Sequence, residues 1–136
     1  MLKLSRSCLR QMLAQAKEHL PIEACGLLAG SITEDSLRIV EIFPMTNLDQ
    51  SPEHFSMDPK EQFAAVREMR RKELKLLGNY HSHPGTPARP SAEDIRLAYD
   101  PEGIYMILSL QGEEPVIKAF QIRHGAYSEI LLEIVD

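Results

Sequence analysis

Two histidines and one aspartate are the residues of this chain whose types and spacing best suit a metal ion. They are His81, His83 and Asp94. The histidines follow an apolar run, residues 74–80, which predicts a β-strand. Alternate residues of a strand lie on the same face, so both imidazoles can bind one ion. Two neutral imidazoles and one carboxylate form a typical catalytic zinc set with a fourth position open to water.

The segment between the second histidine and the aspartate predicts a turning loop followed by a helix. Pro84, Pro87 and Pro90 exclude a continuous strand or helix here. Ser91 is a typical helix N-cap and places Asp94 in the first turn. Each feature alone has a simpler interpretation, since histidines at a strand end are often surface residues and Ser91 with Asp94 could only be a capping box. Together in one short stretch, they favour a metal site.

Residues 81–94 resemble the JAMM motif of the MPN (JAB1/Mov34/PAD-1) metalloproteases. The motif reads His-Ser-His-Pro, six residues, Ser, two residues, Asp. An upstream segment, residues 21–30, is similar to the one that carries the family's catalytic glutamate, here Glu23. The resemblance covers nearly the whole chain and is closest to the small stand-alone prokaryotic type. It implies one domain over residues 1–136 with a deaminase-like α/β sandwich, in which about three helices pack on a mixed β-sheet.

The resemblance also implies a chemistry. One Zn²⁺ per chain would be held by His81, His83 and Asp94. Glu23 would be the general base, and the Ser91 hydroxyl would stabilise the oxyanion that forms when a peptide or isopeptide bond is hydrolysed. No local feature distinguishes Glu23 from other glutamates, and its position before a strand predicts an exposed rim site.

The substrate that the resemblance implies is a ubiquitin-like or sulfur-carrier protein with a C-terminal Gly-Gly. Small stand-alone relatives are associated with such carriers, including release of cysteine from one. Two alternatives stay open: a non-catalytic MPN scaffold and a zinc peptidase that cuts unrelated small peptides. Zinc cytidine deaminases are excluded because the chain lacks the P-C-x-x-C cysteine pair. The H-E-x-x-H metalloproteases are excluded because that helical pair is also absent.

Composition places the chain among ordinary globular domains. It has 136 residues, of which 43% are hydrophobic and 26% charged. A net charge of −5 argues against nucleic acid as a partner. No apolar run predicts a membrane span or a signal peptide, so the expected location is the cytoplasm. Cys8 and Cys25 are expected to be reduced, buried residues. Composition does not indicate an oligomeric state.

Periodicity predicts three helices and about six strands. A first helix, capped by Ser5, is expected to end before Pro21 with Leu20 on its buried face. A second begins at Asp58 as N-cap and is expected to bury Phe63. The last strand is predicted as one run over residues 127–135.

Two further segments carry weaker functional predictions. In the loop over residues 47–57, Phe55 is expected near the substrate channel, on the family resemblance. His54 is not expected to be a metal ligand, because a fourth protein ligand would close the site to water. The basic residues between Arg67 and Lys75 favour a solvated helix face over a docking patch for an acidic partner.

Overall fold

The computed structural model describes residues 1–136 and contains three helices and eight strands. In chain order these are β1 (Leu2–Ser5), α1 (Arg6–His19), β2 (Cys25–Ile32), β3 (Leu37–Met45), α2 (Pro59–Arg71), β4 (Lys75–His83), α3 (Ala92–Arg96), β5 (Ile104–Ser109), β6 (Val116–Arg123), β7 (Ala126–Ile130) and β8 (Leu132–Val135). None of the helices is long and apolar enough to cross a membrane.

All eight strands belong to one mixed sheet with the order β7-β6-β5-β4-β2-β3-β1-β8. β4, which carries the two histidines, lies between antiparallel β2 and parallel β5. The two edge strands, β7 and β8, are separated along the chain by Leu131 alone. Because one residue spans less than about 4 Å, the sheet must curl until the end of β7 lies close to the start of β8.

The helices pack on opposite faces of this sheet. Cys8, Met12 and Ala16 of α1 belong to the larger apolar core, together with Leu28 of β2 and Met106 of β5. Ala65 and Met69 of α2 pack instead on the other face, against Cys25, Leu27 and Ala29. The predicted mixed sheet with three helices is therefore confirmed.

Both long helices begin where the sequence predicts. The Ser5 hydroxyl accepts the backbone N–H of Cys8 at 3.2 Å. The Asp58 carboxylate accepts the N–H of Lys60 at 2.9 Å, with Pro59 in the first turn. These caps satisfy backbone donors that the helix itself leaves unpaired.

The number of strands was underestimated, because the sequence predicts about six and the structure has eight. β1 is only four residues long and leads directly into α1, so it carries little periodic signal. The predicted strand over residues 127–135 is two strands: β7 pairs with β6, whereas β8 pairs with β1 at the opposite edge. The predicted run is continuous in the sequence. It is divided because its two parts pair with different strands at opposite edges of the sheet.

Two predicted core residues are exposed. Leu20 is 47% exposed because it follows the last residue of α1. Phe63 is 66% exposed because the buried stripe of α2 passes through Ala65 and Met69, on another side of the helix. The Arg67 guanidinium lies 6.0 Å from the Phe63 ring centroid instead.

The basic residues after Arg67 are partly neutralised by neighbouring carboxylates. Lys72 bonds Glu41 at 2.9 Å, and Arg71 bonds Glu68 within the same helix. These exposed pairs support the interpretation of a solvated helix face.

Candidate metal centre

The two histidines lie inside β4 rather than after it. The strand continues through His83, because β5 pairs with it as far as His83 and β2 as far as His81. Both histidines are 3% exposed. Alternation directs them to the same face, where the two Nε2 atoms lie 3.1 Å apart.

The aspartate reaches the histidines from the first turn of α3. Asp94 Oδ2 lies 3.2 Å from Nε2 of His81 and 3.2 Å from Nε2 of His83. Ser91 caps this helix: its hydroxyl accepts the Asp94 N–H at 3.0 Å, and its own N–H donates to Asp94 Oδ2 at 2.9 Å. The capping box and the ligand cluster therefore coexist, because one carboxylate oxygen belongs to both.

The proline loop fixes the ring of His83. Its Nδ1 lies 2.8 Å from the Pro87 carbonyl oxygen, which can only accept. Nδ1 therefore carries a proton, so in the neutral imidazole the Nε2 lone pair is the one that can bind a metal. Ser109 Oγ donates to the neighbouring Thr86 carbonyl at 2.6 Å and holds this loop in turn.

The donor set fits a zinc ion. His81, His83 and Asp94 form the one group of histidine, cysteine and acidic side chains whose ligand atoms converge closely enough for a metal ion. Two imidazole nitrogens and a carboxylate oxygen are the ligands of an open catalytic zinc site. Burial raises the pKa of Asp94, but hydrogen bonds from His81 and His83 outweigh burial and hold that pKa well below its usual range. Asp94 is thus a carboxylate, as a ligand must be.

Glu23 is brought to the same face by the pairing of β2 with β4. Cys25 lies opposite His81, and the pairing continues beyond the strand, where Ser82 N–H donates to the Ala24 carbonyl at 2.9 Å. The Ala24 N–H donates to Ser82 Oγ at 2.8 Å. Glu23 is two residues before Cys25, so its side chain shares the face of His81.

The predicted exposed position of Glu23 is wrong. The residue is 3% exposed, and Oε1 has no hydrogen-bond partner. Burial raises the pKa of Glu23 to about 8; the positive charge of His83 opposes that rise and the Asp94 charge adds to it. Burying a carboxyl oxygen that makes no hydrogen bond costs folding free energy. This feature distinguishes Glu23 from the exposed glutamates of the chain.

The loop over residues 47–57 also contacts the ligand cluster. The Phe55 ring stacks on His81 with 4.7 Å between centroids. His54 Nδ1 lies 2.8 Å from Glu93 Oε1 and is not among the three converging ligand atoms.

A cleft of about 240 Å³ opens beside the ligands. His81, Asp94 and Phe55 are among the residues that line it. Its other walls combine apolar side chains, among them Leu27, Leu97 and Ile107, with the polar Gln62, Asn79 and Tyr105.

Two residues of this region were missed by sequence reasoning. The Pro87 carbonyl orients His83, and Asn47 bonds the Glu23 carbonyl at 3.0 Å. Neither has a local signal, because a backbone carbonyl has no sequence signature and an asparagine in a polar loop is ordinary.

Comparison with known proteins identifies the family. A model named Prok-JAB, prokaryotic homologs of the JAB domain, matches residues 5–123. A CysO-cysteine peptidase of Mycobacterium tuberculosis is 35% identical over 126 residues, which cover 92% of this chain and 85% of that protein. A probable TtuB-protein conjugate cleaving protease of Thermus thermophilus is 31% identical, covering 77% of this chain and 76% of that protein.

Solved structures agree in fold. The solution structure of protein DSY2949 from Desulfitobacterium hafniense has a TM-score of 0.92 and 49% identity, and the match covers 100% of this chain and 94% of that one. A JAB1/MPN domain protein from Archaeoglobus fulgidus has a TM-score of 0.64 at 27% identity, covering 98% of this chain and 97% of that one. The predicted MPN fold and the predicted enzyme class, a hydrolase, are thereby confirmed. This chain belongs to the prokaryotic homologs of the JAB domain.

Proposed function

We propose that this chain is a zinc-dependent peptidase that hydrolyses the bond after the C-terminal Gly-Gly of a ubiquitin-like or sulfur-carrier protein. The observation that carries the proposal is the buried carboxyl of Glu23, whose Oε1 has no hydrogen-bond partner, near three converging ligand atoms. A structural core would not retain such a group without a compensating function.

The metal would be held by Nε2 of His81, Nε2 of His83 and Oδ2 of Asp94. A bound zinc ion would lower the pKa of a water molecule to about 7 and polarise the scissile carbonyl.

Glu23 is suited to move the protons of the reaction. Burial raises its pKa to about 8 without metal, and a nearby zinc ion would lower that pKa, so the carboxyl can both accept and donate a proton near neutral pH. It would take a proton from the attacking water as the oxygen bonds the carbonyl carbon. It would then give that proton to the amine nitrogen as the C–N bond breaks.

Ser91 is suited to bind the carbonyl oxygen. Its Oγ accepts the Asp94 N–H, which leaves the hydroxyl proton free to donate. The residue is exposed at the N-terminus of α3, next to the ligand Asp94. A donor placed there would stabilise the negative charge that develops on the oxygen.

The relatives support the carrier as substrate. One is named for a CysO–cysteine substrate and another for TtuB-protein conjugates. A Gly-Gly tail has no side chains that could clash in a narrow cleft beside His81. The apolar walls of that cleft would take residues next to the glycines.

A panel of cleavage substrates tests this proposal. Zinc-loaded protein is incubated with sulfur-carrier proteins extended after Gly-Gly by cysteine or by a peptide, and with unrelated peptides. We expect cleavage after Gly-Gly, and a loss of about 10²–10⁴-fold in Glu23→Gln at unchanged zinc content. Cleavage of unrelated peptides alone would overturn the carrier as substrate, and zinc binding without any cleavage would indicate a scaffold.

A further inference from the structure

The backbone N–H and carbonyl of Glu23 both bond the loop over residues 47–57, although the next residue, Ala24, still pairs with β4. The β2 ladder begins at Cys25. The Glu23 N–H donates to the Ser51 carbonyl at 2.9 Å, and the Glu23 carbonyl accepts from Asn47 Nδ2 at 3.0 Å. Both backbone polar groups of this residue therefore depend on one loop.

The Asn47 side chain is the centre of that loop. It is 4% exposed, and its Nδ2 donates to the carbonyls of Glu23 and His54, at 3.0 and 2.9 Å. Its Oδ1 accepts the N–H groups of Asp49 and Ser56, at 3.0 and 3.3 Å. The primary amide thus uses both donors and both lone pairs. The reverse orientation would place oxygen against two carbonyls, so the amide has one satisfactory orientation.

The two carbonyls that Asn47 binds belong to two separate segments that reach the metal centre. Glu23 carries the proposed general base. His54 precedes Phe55, whose ring stacks on the ligand His81. The Asn47 amide therefore connects the segment that carries the proposed base, Glu23, to the segment whose Phe55 covers His81.

The carboxyl of Glu23 has little else to position it, since its Oε1 has no hydrogen-bond partner. Its placement depends on packing and on where its backbone is held. We propose that Asn47 is a positioning residue for the reaction, which fixes the Glu23 backbone and through it the carboxyl relative to the ligand cluster. This inference rests on the proposed function for its catalytic part.

Asn47→Asp is the sharpest variant, because it keeps an oxygen for the Asp49 and Ser56 N–H groups but cannot donate to the Glu23 and His54 carbonyls. We expect kcat on a Gly-Gly carrier substrate to fall about 10- to 100-fold, with KM and zinc content nearly unchanged. In a Glu23→Gln background the same change should have almost no further effect, because the group that Asn47 positions is already gone.

Ser56→Ala is the matched control. It removes the Ser56 Oγ to Asp49 Oδ1 bond of 2.9 Å and so loosens the same loop without touching Glu23. Its kcat should stay close to that of the unmodified protein. An equal loss in Ser56→Ala, or a full further loss from Asn47→Asp in the Glu23→Gln background, would overturn the positioning role.

Amide hydrogen exchange tests the structural part without any substrate. The Glu23 amide, bonded to Ser51, should exchange about tenfold faster in Asn47→Asp, while His81 in β4 stays protected. If Asn47→Asp does not fold, exchange of the Glu23 amide is measured in Asn47→Ala instead, which brings no charge into the interior. Unchanged exchange at Glu23 overturns the inference. Faster exchange in a protein that cleaves nothing would uphold the positioning of Glu23 and reject the proposed function.

Discussion

The ring of Phe55 lies over the imidazole of His81, with planes inclined by 26° and centroids 4.7 Å apart. The contact joins a residue of the 47–57 loop to a proposed metal ligand. Through this contact the 47–57 loop touches the ligand cluster, and it predicts that Phe55 affects metal binding.

Phe55→Leu should weaken zinc binding without preventing it. Stacked aromatic pairs contribute about 0.5–1.5 kcal/mol beyond their buried area, which corresponds to about a two- to tenfold lower zinc affinity. Leucine keeps most of the apolar surface, so the folded state should persist. Competition with a chromophoric chelator measures the affinity. Affinity equal to that of the unmodified protein would show that the stack does not orient His81.

Zinc binding should be lost on acidification. Only neutral imidazoles bind the ion, so protons compete with it. Burial lowers the pKa of His83, but hydrogen bonds with Asp94 and Pro87 outweigh burial and the pKa is raised. Protons therefore compete at a higher pH than for an ordinary histidine. We expect one zinc per chain at neutral pH and release by about pH 5.

Elemental analysis after dialysis at a series of pH values provides the measurement. A His83→Ala variant is the control and should bind little zinc at any pH. Zinc retained in that variant, or a content independent of pH, would contradict the ligand assignment.

The metal-free protein should lose stability as pH rises from about 5 to 8. Burial raises the pKa of Glu23 from 4.5 to about 8 in the folded state. Between those values the folded state holds a proton that the unfolded state has released, so the free energy of unfolding falls with pH. Glu23→Gln removes this dependence and should be more stable by about 2–4 kcal/mol at pH 8, with little difference at pH 4.

Urea unfolding of both proteins at pH 4, 6 and 8 measures the difference in stability. Zinc-loaded samples are the control, because a nearby cation favours the ionised carboxylate and should reduce the gap. A gap that does not change with pH would mean that Glu23 keeps an ordinary pKa.

Ser91→Ala should separate the two roles of that hydroxyl. Loss of the cap to the Asp94 N–H, a 3.0 Å bond, should cost about 1 kcal/mol of stability. Loss of an oxyanion donor should cost about 10²–10³-fold in turnover. Thermal unfolding and cleavage assays measure the two effects. Ser91→Thr keeps a hydroxyl and should retain most of both, whereas near-full turnover in Ser91→Ala would leave Ser91 as a cap only.

The parts of the candidate ligand set could be predicted from the sequence because the geometry within each part is local. His81 and His83 share a face through strand alternation, and Ser91 places Asp94 through a capping box of four residues. The helix starts at Ser5 and Asp58 are predictable for the same reason, since the partners lie within a few residues of each other. Asp94 itself reaches the two histidines, 13 and 11 residues before it, only because the intervening loop folds back.

The rest of the site depends on contacts between distant parts of the chain. Glu23 is buried because β2 pairs with β4 and its backbone bonds Ser51, and neither partner has a local signal. The division of residues 126–135 into β7 and β8 likewise follows from the closing of the sheet. Residue types and local spacing are therefore enough to predict which side chains can bind a metal. The glutamate that lies near them and the asparagine that bonds its backbone follow from long-range strand pairing and loop packing, which have no period in the sequence.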